Sequence, residues 1–146
     1  MFKRIAIVAM LVALAAAPAA VAQTPAVQKA MFAFIANLPA DFLSLTPPAL
    51  KAKMDAGEKP FLVDVREATE TATGHIQGAV LMPVRTFPRN LGKIPSNRNA
   101  EIIVICGSGL RSSYVVMALS TMGYRNVKGM ALGMREWNAQ NFPVVK

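Results

Sequence analysis

The residue of this chain with the clearest chemical potential is Cys106, its only cysteine. Cys106 follows the apolar run Ile102-Ile103-Val104-Ile105 and precedes a loop with two glycines, Gly107-Ser108-Gly109-Leu110-Arg111. A short run that is apolar at every position predicts a central parallel strand covered on both faces. Sites in open α/β sheets form at the carboxyl ends of such strands. The position of Cys106 therefore predicts a functional thiol.

The loop after Cys106 has the composition of an anion-binding cradle. Gly107 and Gly109 allow the backbone to curl so that several N–H groups point inward, and the helix predicted next adds the positive end of its dipole. Such surroundings lower the pKa of a thiol, so we expect Cys106 to be largely thiolate, with Arg111 closing the loop. The alternative is a buried apolar cysteine at a strand end, which leaves the Gly-x-Gly turn and the arginine unexplained.

A thiolate in an anion cradle suits two kinds of chemistry. It can attack phosphorus, as in cysteine phosphatases, or it can attack a sulfane sulfur and hold the product as a persulfide. Four residues separate Cys106 from Arg111, whereas cysteine phosphatases have one more. The shorter loop fits a single extra sulfur better than a tetrahedral oxyanion. A phosphatase or arsenate reductase is therefore the disfavoured alternative.

The elements that position this loop alternate along the chain. Thr46-Pro47-Pro48 predicts a helix start with Thr46 as N-cap, and Gly57 predicts its end. Further helices are predicted over 68–73, 112–122 and 133–140, and strands over 61–65, 79–82, 102–105 and 126–130. The alternation predicts an α/β fold with a mostly parallel central sheet and helices on both faces. The stretch 84–99 predicts a loop, and its basic residues Arg85, Arg89, Lys93 and Arg98, with no acid among them, could line the rim of the site or simply be solvated.

Four segments of the chain, in order, resemble the rhodanese family. They are Asp64-Val65-Arg66-Glu67, Gly74-His75-Ile76-Gln77-Gly78-Ala79, the loop from Cys106 to Ser112, and Gly133 with Trp137. The resemblance covers about 46–146 and implies the rhodanese-like fold, transfer of sulfane sulfur and Cys106 as the catalytic persulfide carrier. It implies no metal and no organic cofactor. The implied substrate-binding residues are Gly107, Ser108, Gly109, Leu110, Arg111 and Arg66.

Three other residues of the matching segments have a second interpretation. Asp64 and Arg66, at a strand's carboxyl end, could line the site or brace loops by hydrogen bonds. His75 could act as a general base, but a role in ordering the turn from Gly74 to Gly78 is favoured, because a thiolate already ionised by its cradle needs no base.

The chain also departs from the family pattern at three positions. Thr71 stands where an aromatic residue is common, Leu132 replaces the first glycine of a frequent Gly-Gly pair, and Asn141 replaces a frequent glycine. We expect none of them to touch the loop, although they could alter the packing near Trp137.

The N-terminus has the pattern of an export signal. Lys3 and Arg4 precede an apolar run, and Ala20-Val21-Ala22 supplies a small-x-small cleavage pattern. This predicts a signal peptide over 1–22, which would be followed by a helical extension over 23–45 and a rhodanese-like domain over 46–146. A periplasmic or secreted location follows, with no membrane span after cleavage. The alternative is a membrane anchor, because 18 apolar residues just reach a span. The apolar spacing from Val27 to Leu38 predicts a helix in the extension, which could pack on the domain or serve a partner.

Composition excludes several other classes of function. The net charge is +8, but the basic residues are dispersed, so no nucleic-acid partner is expected. One cysteine and one histidine cannot supply four zinc ligands, and no intramolecular disulfide is possible. The resemblance to the rhodanese family implies a sulfurtransferase that moves sulfur from a donor such as thiosulfate to cyanide, a small thiol or a partner protein's thiol. The alternative is a non-enzymatic sulfur carrier or partner-binding module.

Overall fold

The core of this protein is a parallel β-sheet, and Cys106 lies at the carboxyl ends of its strands. The structure, a computed structural model, describes residues 25–146. Its four strands are β1 Phe61–Asp64, β2 Val80–Leu81, β3 Ile102–Ile105 and β4 Val127–Gly129, all parallel and in the order β2-β1-β3-β4. β1 pairs with β3 over its whole length, so that Asp64 lies opposite Ile105. The predicted α/β class and the interior position of β3 are confirmed.

The helices lie on both faces of this sheet. They are α1 Pro25–Ala36, α2 Pro47–Asp55, α3 Ala68–Thr71, α4 Leu110–Thr121 and α5 Gly133–Ala139. Thr46 caps α2 as predicted, since its Oγ1 accepts a hydrogen bond from the Ala49 amide at 3.4 Å. The stretch predicted as a loop contains a 3-10 helix, Phe87–Lys93. The burial of Phe87 in the core holds that helix in place.

The two faces of β3 are buried in two separate cores. All four of its residues have no exposed surface. One face packs with residues of α4, namely Val115, Val116 and Leu119. The other packs with residues of α2 and α5, namely Leu50, Met134 and Trp137. Burial of each such side chain contributes about 1.5–3 kcal/mol, which makes β3 a rigid support for the residue that follows it.

The segment before α2 joins the domain in two different ways. No residue of α1 is buried, and α1 packs on α4. Further along, the Gly129 amide donates to the Phe42 carbonyl at 2.7 Å and the Ala131 amide donates to the Leu45 carbonyl at 2.9 Å. The chain around Phe42 to Leu45 therefore lies along the outer edge of β4.

The predicted signal peptide over 1–22 lies outside the described residues. Within residues 25–146, no helix has the length and apolar character needed to cross a membrane.

Candidate active site

Cys106 lies at the carboxyl end of β3, where the sequence predicts it. Only 1% of the residue is exposed. Its carbonyl accepts a hydrogen bond from the Met134 amide at 2.8 Å, and the Gly107 carbonyl accepts one from the Arg135 amide at 3.0 Å. These carbonyls satisfy amides at the start of α5, which have no partner inside their own helix. The loop is thereby tied to a second helix besides α4.

The sulfur of Cys106 is surrounded by hydrogen-bond donors. The Gly109 amide donates to Sγ at 3.1 Å. Burial raises the pKa of the Cys106 thiol. A larger combined effect lowers the pKa, and it comes from groups that can donate to a thiolate, namely the Ser112 side chain and the amides of Ser108, Gly109 and Ser112. The net effect holds the pKa below its ordinary value. The cradle therefore favours the nucleophilic form of the sulfur.

Two glycines are required by the geometry of this loop. Gly109 has φ of 100°, a left-handed conformation that turns the chain into α4. Gly133, at the start of α5, approaches the loop so closely that a Cβ there would lie 2.3 Å from the Cys106 carbonyl oxygen. A side chain at Gly133 would push α5 away and break both hydrogen bonds to the loop.

Arg111 lies against the loop and forms an ion pair that sequence reasoning missed. Its guanidinium donates to both carboxylate oxygens of Glu70 in α3, at 2.5 and 2.7 Å. The Arg111 guanidinium holds the pKa of Glu70 at about 2, and Glu70 in turn raises the pKa of Arg111. Glu70 also accepts from the Glu67 amide at 3.0 Å. The positive charge that Arg111 brings to the cradle is therefore compensated by a fixed carboxylate.

Arg66, which the resemblance assigned to substrate binding, is engaged elsewhere. It is 5% exposed, and Asp64 beside it is fully buried. The Arg66 guanidinium donates to Asp64 Oδ2 at 2.7 Å and to the Gly74 carbonyl at 2.8 Å. These bonds brace the end of β1 against the turn at Gly74, as the second interpretation of this pair expected. A contact of Arg66 with substrate stays a prediction.

The remaining loop residues form the mouth of the cradle. Ser108 is exposed and presents its amide to the sulfur. Leu110 is 63% exposed. A surface depression beside Arg111 is lined by Glu67, Val84, Arg85 and Tyr114.

Two basic residues of the stretch between β2 and β3 lie at different distances from the loop that follows Cys106. Arg85 reaches the rim, where it lies 3.6 Å from a carboxylate oxygen of Glu67. Arg98 instead stacks on the Tyr124 ring, 4.1 Å from its centroid. At the rim, Arg85 is thus also accompanied by a carboxylate.

Backbone hydrogen bonds fix the position of His75. Its amide and carbonyl pair with the carbonyl and amide of Val145, each at 2.9 Å, so that the turn is joined to the C-terminal segment. Its Nδ1 is buried and has no hydrogen-bond partner in the part of the chain that the structure describes. Among residues 25–146 there is no group of three or more His, Cys, Asp or Glu side chains able to hold a metal ion.

Residues 46–140 match the family model described as the rhodanese-like domain, which is more than half of the chain. The chain belongs to the rhodanese-like domain family. The resemblance seen in the sequence is confirmed at the level of family and fold.

Individual rhodanese-like proteins agree with this assignment. A sulfurtransferase of Allochromatium vinosum is 30% identical over 97 residues, covering 66% of this chain and 89% of that protein. YrkF of Bacillus subtilis, provisionally named a sulfur carrier protein, is 34% identical over 92 residues, covering 63% of this chain and 49% of YrkF. The chain thus spans about half the length of YrkF. A rhodanese-like domain protein from Staphylococcus aureus superposes with a TM-score of 0.62 at 32% identity, over 70% of this chain and 97% of that one.

Two departures from the rhodanese-like pattern have left-handed backbones. Leu132 has φ of 60° and Asn141 has φ of 54°, and each stands where the family often has glycine. The backbone nitrogen of Leu132 lies 3.6 Å from the position that a Cβ would take on Gly109, so Leu132 is near the loop. The expectation that the departing positions do not touch the loop stays a prediction.

Sequence reasoning also left Ser112 without a role. Ser112 lies three residues before Val115, on the face of α4 that the apolar spacing predicts to be buried. A serine on that face, one turn from the cysteine, was the available signal. No comparable signal existed for Glu70, because it is 41 residues from its partner Arg111.

Proposed function

We propose that this chain is an exported sulfurtransferase that carries sulfane sulfur as a Cys106 persulfide. In the first half-reaction the Cys106 thiolate attacks the outer sulfur of a donor such as thiosulfate, forming an S–S bond and releasing sulfite. In the second, cyanide or a thiolate attacks the outer sulfur of the persulfide and regenerates the Cys106 thiolate. The product of the second half-reaction is thiocyanate or a new persulfide. In each half-reaction one S–S bond or S–C bond forms as one S–S bond breaks, and the total charge is the same before and after.

The observation that carries this proposal is the environment of Cys106 Sγ. It accepts a hydrogen bond from the Gly109 amide at 3.1 Å, and the donors around it lower the thiol's pKa. Family membership and relatives named as a sulfurtransferase and a sulfur carrier support sulfur transfer as the chemistry.

The cradle holds an anion mainly through its backbone. The loop residues between Cys106 and Arg111 carry no charge, and Arg111 is paired with Glu70. The amides of Ser108, Gly109 and Ser112 are the donors already directed at the sulfur. In the proposed persulfide we expect these amides to donate to the outer sulfur as well, since it adds only one atom beyond Sγ.

The second half-reaction needs an acceptor from outside the chain. Cys106 is the only cysteine, so no thiol of the same molecule can resolve the persulfide. A small thiol, cyanide or a partner protein's cysteine would serve. If only a partner protein discharges the persulfide, the chain is a sulfur carrier, as the name of YrkF describes that relative.

Intact-mass measurement tests the proposal directly. Incubated with thiosulfate or with a small organic persulfide, the wild type should gain the mass of one sulfur atom. Cys106→Ser should fold normally and gain nothing, because serine has no stable anion at neutral pH. Equal sulfur uptake by both proteins would refute the mechanism. Multiple turnovers with cyanide would identify an enzyme, and loading without turnover would identify a carrier.

The proposed location has a separate test. If the segment over 1–22 is a signal peptide, the mature protein should begin at Gln23 and be recovered from the periplasm or medium. N-terminal sequencing from the native host reads this directly. Recovery of the intact N-terminus in the membrane fraction would show an anchor instead.

A further inference from the structure

One buried polar atom beside Cys106 has no partner. Ser112 has no exposed surface, and its Oγ makes no hydrogen bond to any group in residues 25–146. Buried hydroxyls are nearly always hydrogen-bonded, because an unsatisfied one costs free energy. An exception in a native structure needs an explanation.

Other hydroxyls of α4 behave in the usual way for helices. Ser113 Oγ donates to the Leu110 carbonyl at 2.7 Å, and Thr121 Oγ1 donates to the Ala118 carbonyl at 2.8 Å. Both bonds go back to the preceding turn, the common solution for serine and threonine inside a helix. The Ser112 hydroxyl does not form this hydrogen bond to the preceding turn, so it is free to donate to a group in the loop around Cys106.

The available acceptor for this hydroxyl is the sulfur of Cys106. The Ser112 side chain is the strongest of the contacts that favour the thiolate over the thiol. Ser112 Oγ has no other hydrogen-bond acceptor among the described residues, and an ionised Sγ would give it a charged one. Hydrogen bonds to charged groups are about twice as strong as neutral ones.

We propose that the Ser112 hydroxyl stabilises Cys106 Sγ as the leaving group when the persulfide is discharged. The inference deepens the proposed function and rests on it. When the acceptor's electron pair forms a bond to the outer sulfur, the S–S bond breaks and its electron pair stays on Sγ. Negative charge therefore grows on Sγ in this step, and it declines on Sγ when the persulfide forms. A donor to Sγ assists the first change and opposes the second.

The charged groups near the sulfur do not duplicate this role. Arg111 is close enough to Cys106 to interact with its charge but is paired with Glu70, and Glu67 is a second carboxylate that acts on Arg111. At the end of the neighbouring strand β1, Asp64 and Arg66 neutralise each other. Among the described residues, Ser112 supplies the side-chain hydroxyl that acts on Sγ, alongside backbone amides.

The test compares Ser112→Ala with Ser113→Ala, a matched loss of a hydroxyl one residue along α4. Because the chain has one cysteine, the rate of alkylation by iodoacetamide reports Cys106 alone. Its pH midpoint should rise by about one pH unit in Ser112→Ala, the effect of losing a hydrogen bond to a charged group. It should stay unchanged in Ser113→Ala. Ser112→Thr, which keeps the hydroxyl, should restore the midpoint.

The two half-reactions should then change in opposite directions. On the alkaline plateau, where Cys106 is ionised in every variant, loading by thiosulfate should become about threefold faster in Ser112→Ala, because a more basic thiolate is a better nucleophile. Discharge of the isolated persulfide to cyanide should become about threefold or more slower, because the leaving group is poorer. A merely structural role would slow both steps together.

Stability provides the last readout. At pH 5, where the thiol is protonated, Ser112→Ala should be at least as stable as the wild type, since the lost hydroxyl had no partner. An unchanged alkylation midpoint in a folded Ser112→Ala protein would overturn the inference, as would equal slowing of both half-reactions. If the wild type takes up no sulfur from any donor while the midpoint still shifts, the proposed function fails and the leaving-group role fails with it, but the contact of the hydroxyl with the thiolate stands.

Discussion

At the scale of single residues, the charged side chains around Cys106 form ion pairs with one another. Asp64 with Arg66 and Glu70 with Arg111 are carboxylate–guanidinium pairs with N–O distances of 2.7 and 2.5 Å. Fixed pairs of this kind hold the loop in shape without presenting a bare charge at the mouth. The donors directed at the reactive sulfur are then neutral backbone amides, those of Ser108, Gly109 and Ser112, and the proposal adds the Ser112 hydroxyl to them.

The Glu70–Arg111 pair predicts a specific response to acid. The pKa of Glu70 is about 2 in the folded protein against an ordinary 4.5. A carboxylate with a lowered folded pKa stabilises the fold above its unfolded pKa, and that contribution is lost as the pH falls from about 4.5 towards about 2. Glu70→Gln should be less stable than the wild type at pH 7, and the difference should shrink below pH 4.5.

Denaturant unfolding at a series of pH values measures this response. Glu58→Gln is the matched control, because Glu58 is an exposed carboxylate paired with Lys53 far from the loop. Surface pairs of that kind contribute little, so the control should follow the wild type. The interpretation of the Arg111 pair is wrong if the two variants behave alike.

At the scale of elements, the start of α5 is the part of the fold most closely joined to the loop. Its first amides donate to the Cys106 and Gly107 carbonyls, and Gly133 permits the close approach. Immediately before it, Leu132 adopts the left-handed conformation at φ of 60° while 47% exposed. A leucine in this conformation is strained by roughly 1–2 kcal/mol, and its exposure means that burial offsets little of this.

Leu132→Gly should therefore stabilise the protein. Relief of the left-handed strain, roughly 1–2 kcal/mol, is opposed by the extra entropy that glycine gives the unfolded chain, about 0.5–1 kcal/mol, so the net gain should lie in the range up to about 1.5 kcal/mol. Urea unfolding of the two proteins measures it. Asn141→Gly makes the same exchange at the other left-handed position, and its gain should be smaller because asparagine tolerates this conformation. A loss of stability in Leu132→Gly would mean that the side chain makes contacts outweighing the strain.

At the scale of the whole molecule, the segment over 25–45 divides into two parts that should contribute differently to the stability of the domain. Helix α1 has no buried residue, whereas the Phe42 and Leu45 carbonyls accept hydrogen bonds from the chain at and after β4. Leu43 also packs on Gly129, since a Cβ there would lie 2.3 Å from the Leu43 side chain. The functional domain should therefore require the second part and not the first.

Two truncations separate these contributions. A chain starting at Asn37 should unfold within about 1 kcal/mol of one starting at Gln23, because no buried side chain is removed. A chain starting at Thr46 loses two backbone hydrogen bonds, the Leu43 contact and the packing of Phe42 and Leu45 on the cores. The two hydrogen bonds alone contribute about 1–3 kcal/mol, so this chain should be destabilised further by at least that amount. Thermal unfolding of the three proteins gives the comparison. Equal stability of the two shorter chains would show that the edge pairing contributes nothing.

The sequence by itself determined the features that depend on local pattern. An apolar run of strand length, a turn with two glycines and a helix start are contiguous, so the position of Cys106 at the end of β3 followed from residues 102–112 alone. The alternation of elements and the Thr46 cap followed in the same way. The bounds shifted by one or two residues, because α4 starts at Leu110 once Gly109 has turned the chain.

Only the tertiary structure decided which distant residues complete the site. Glu70 reaches Arg111 across 41 residues, and α5 closes on the loop through amides that carry no side-chain signature. The unpartnered Ser112 hydroxyl and the left-handed Leu132 likewise depend on how α4 and α5 pack around Cys106. Spacing along a chain reports periodic burial within one element. It does not report the contacts between elements, and those contacts hold the loop in place and pair the charge of Arg111.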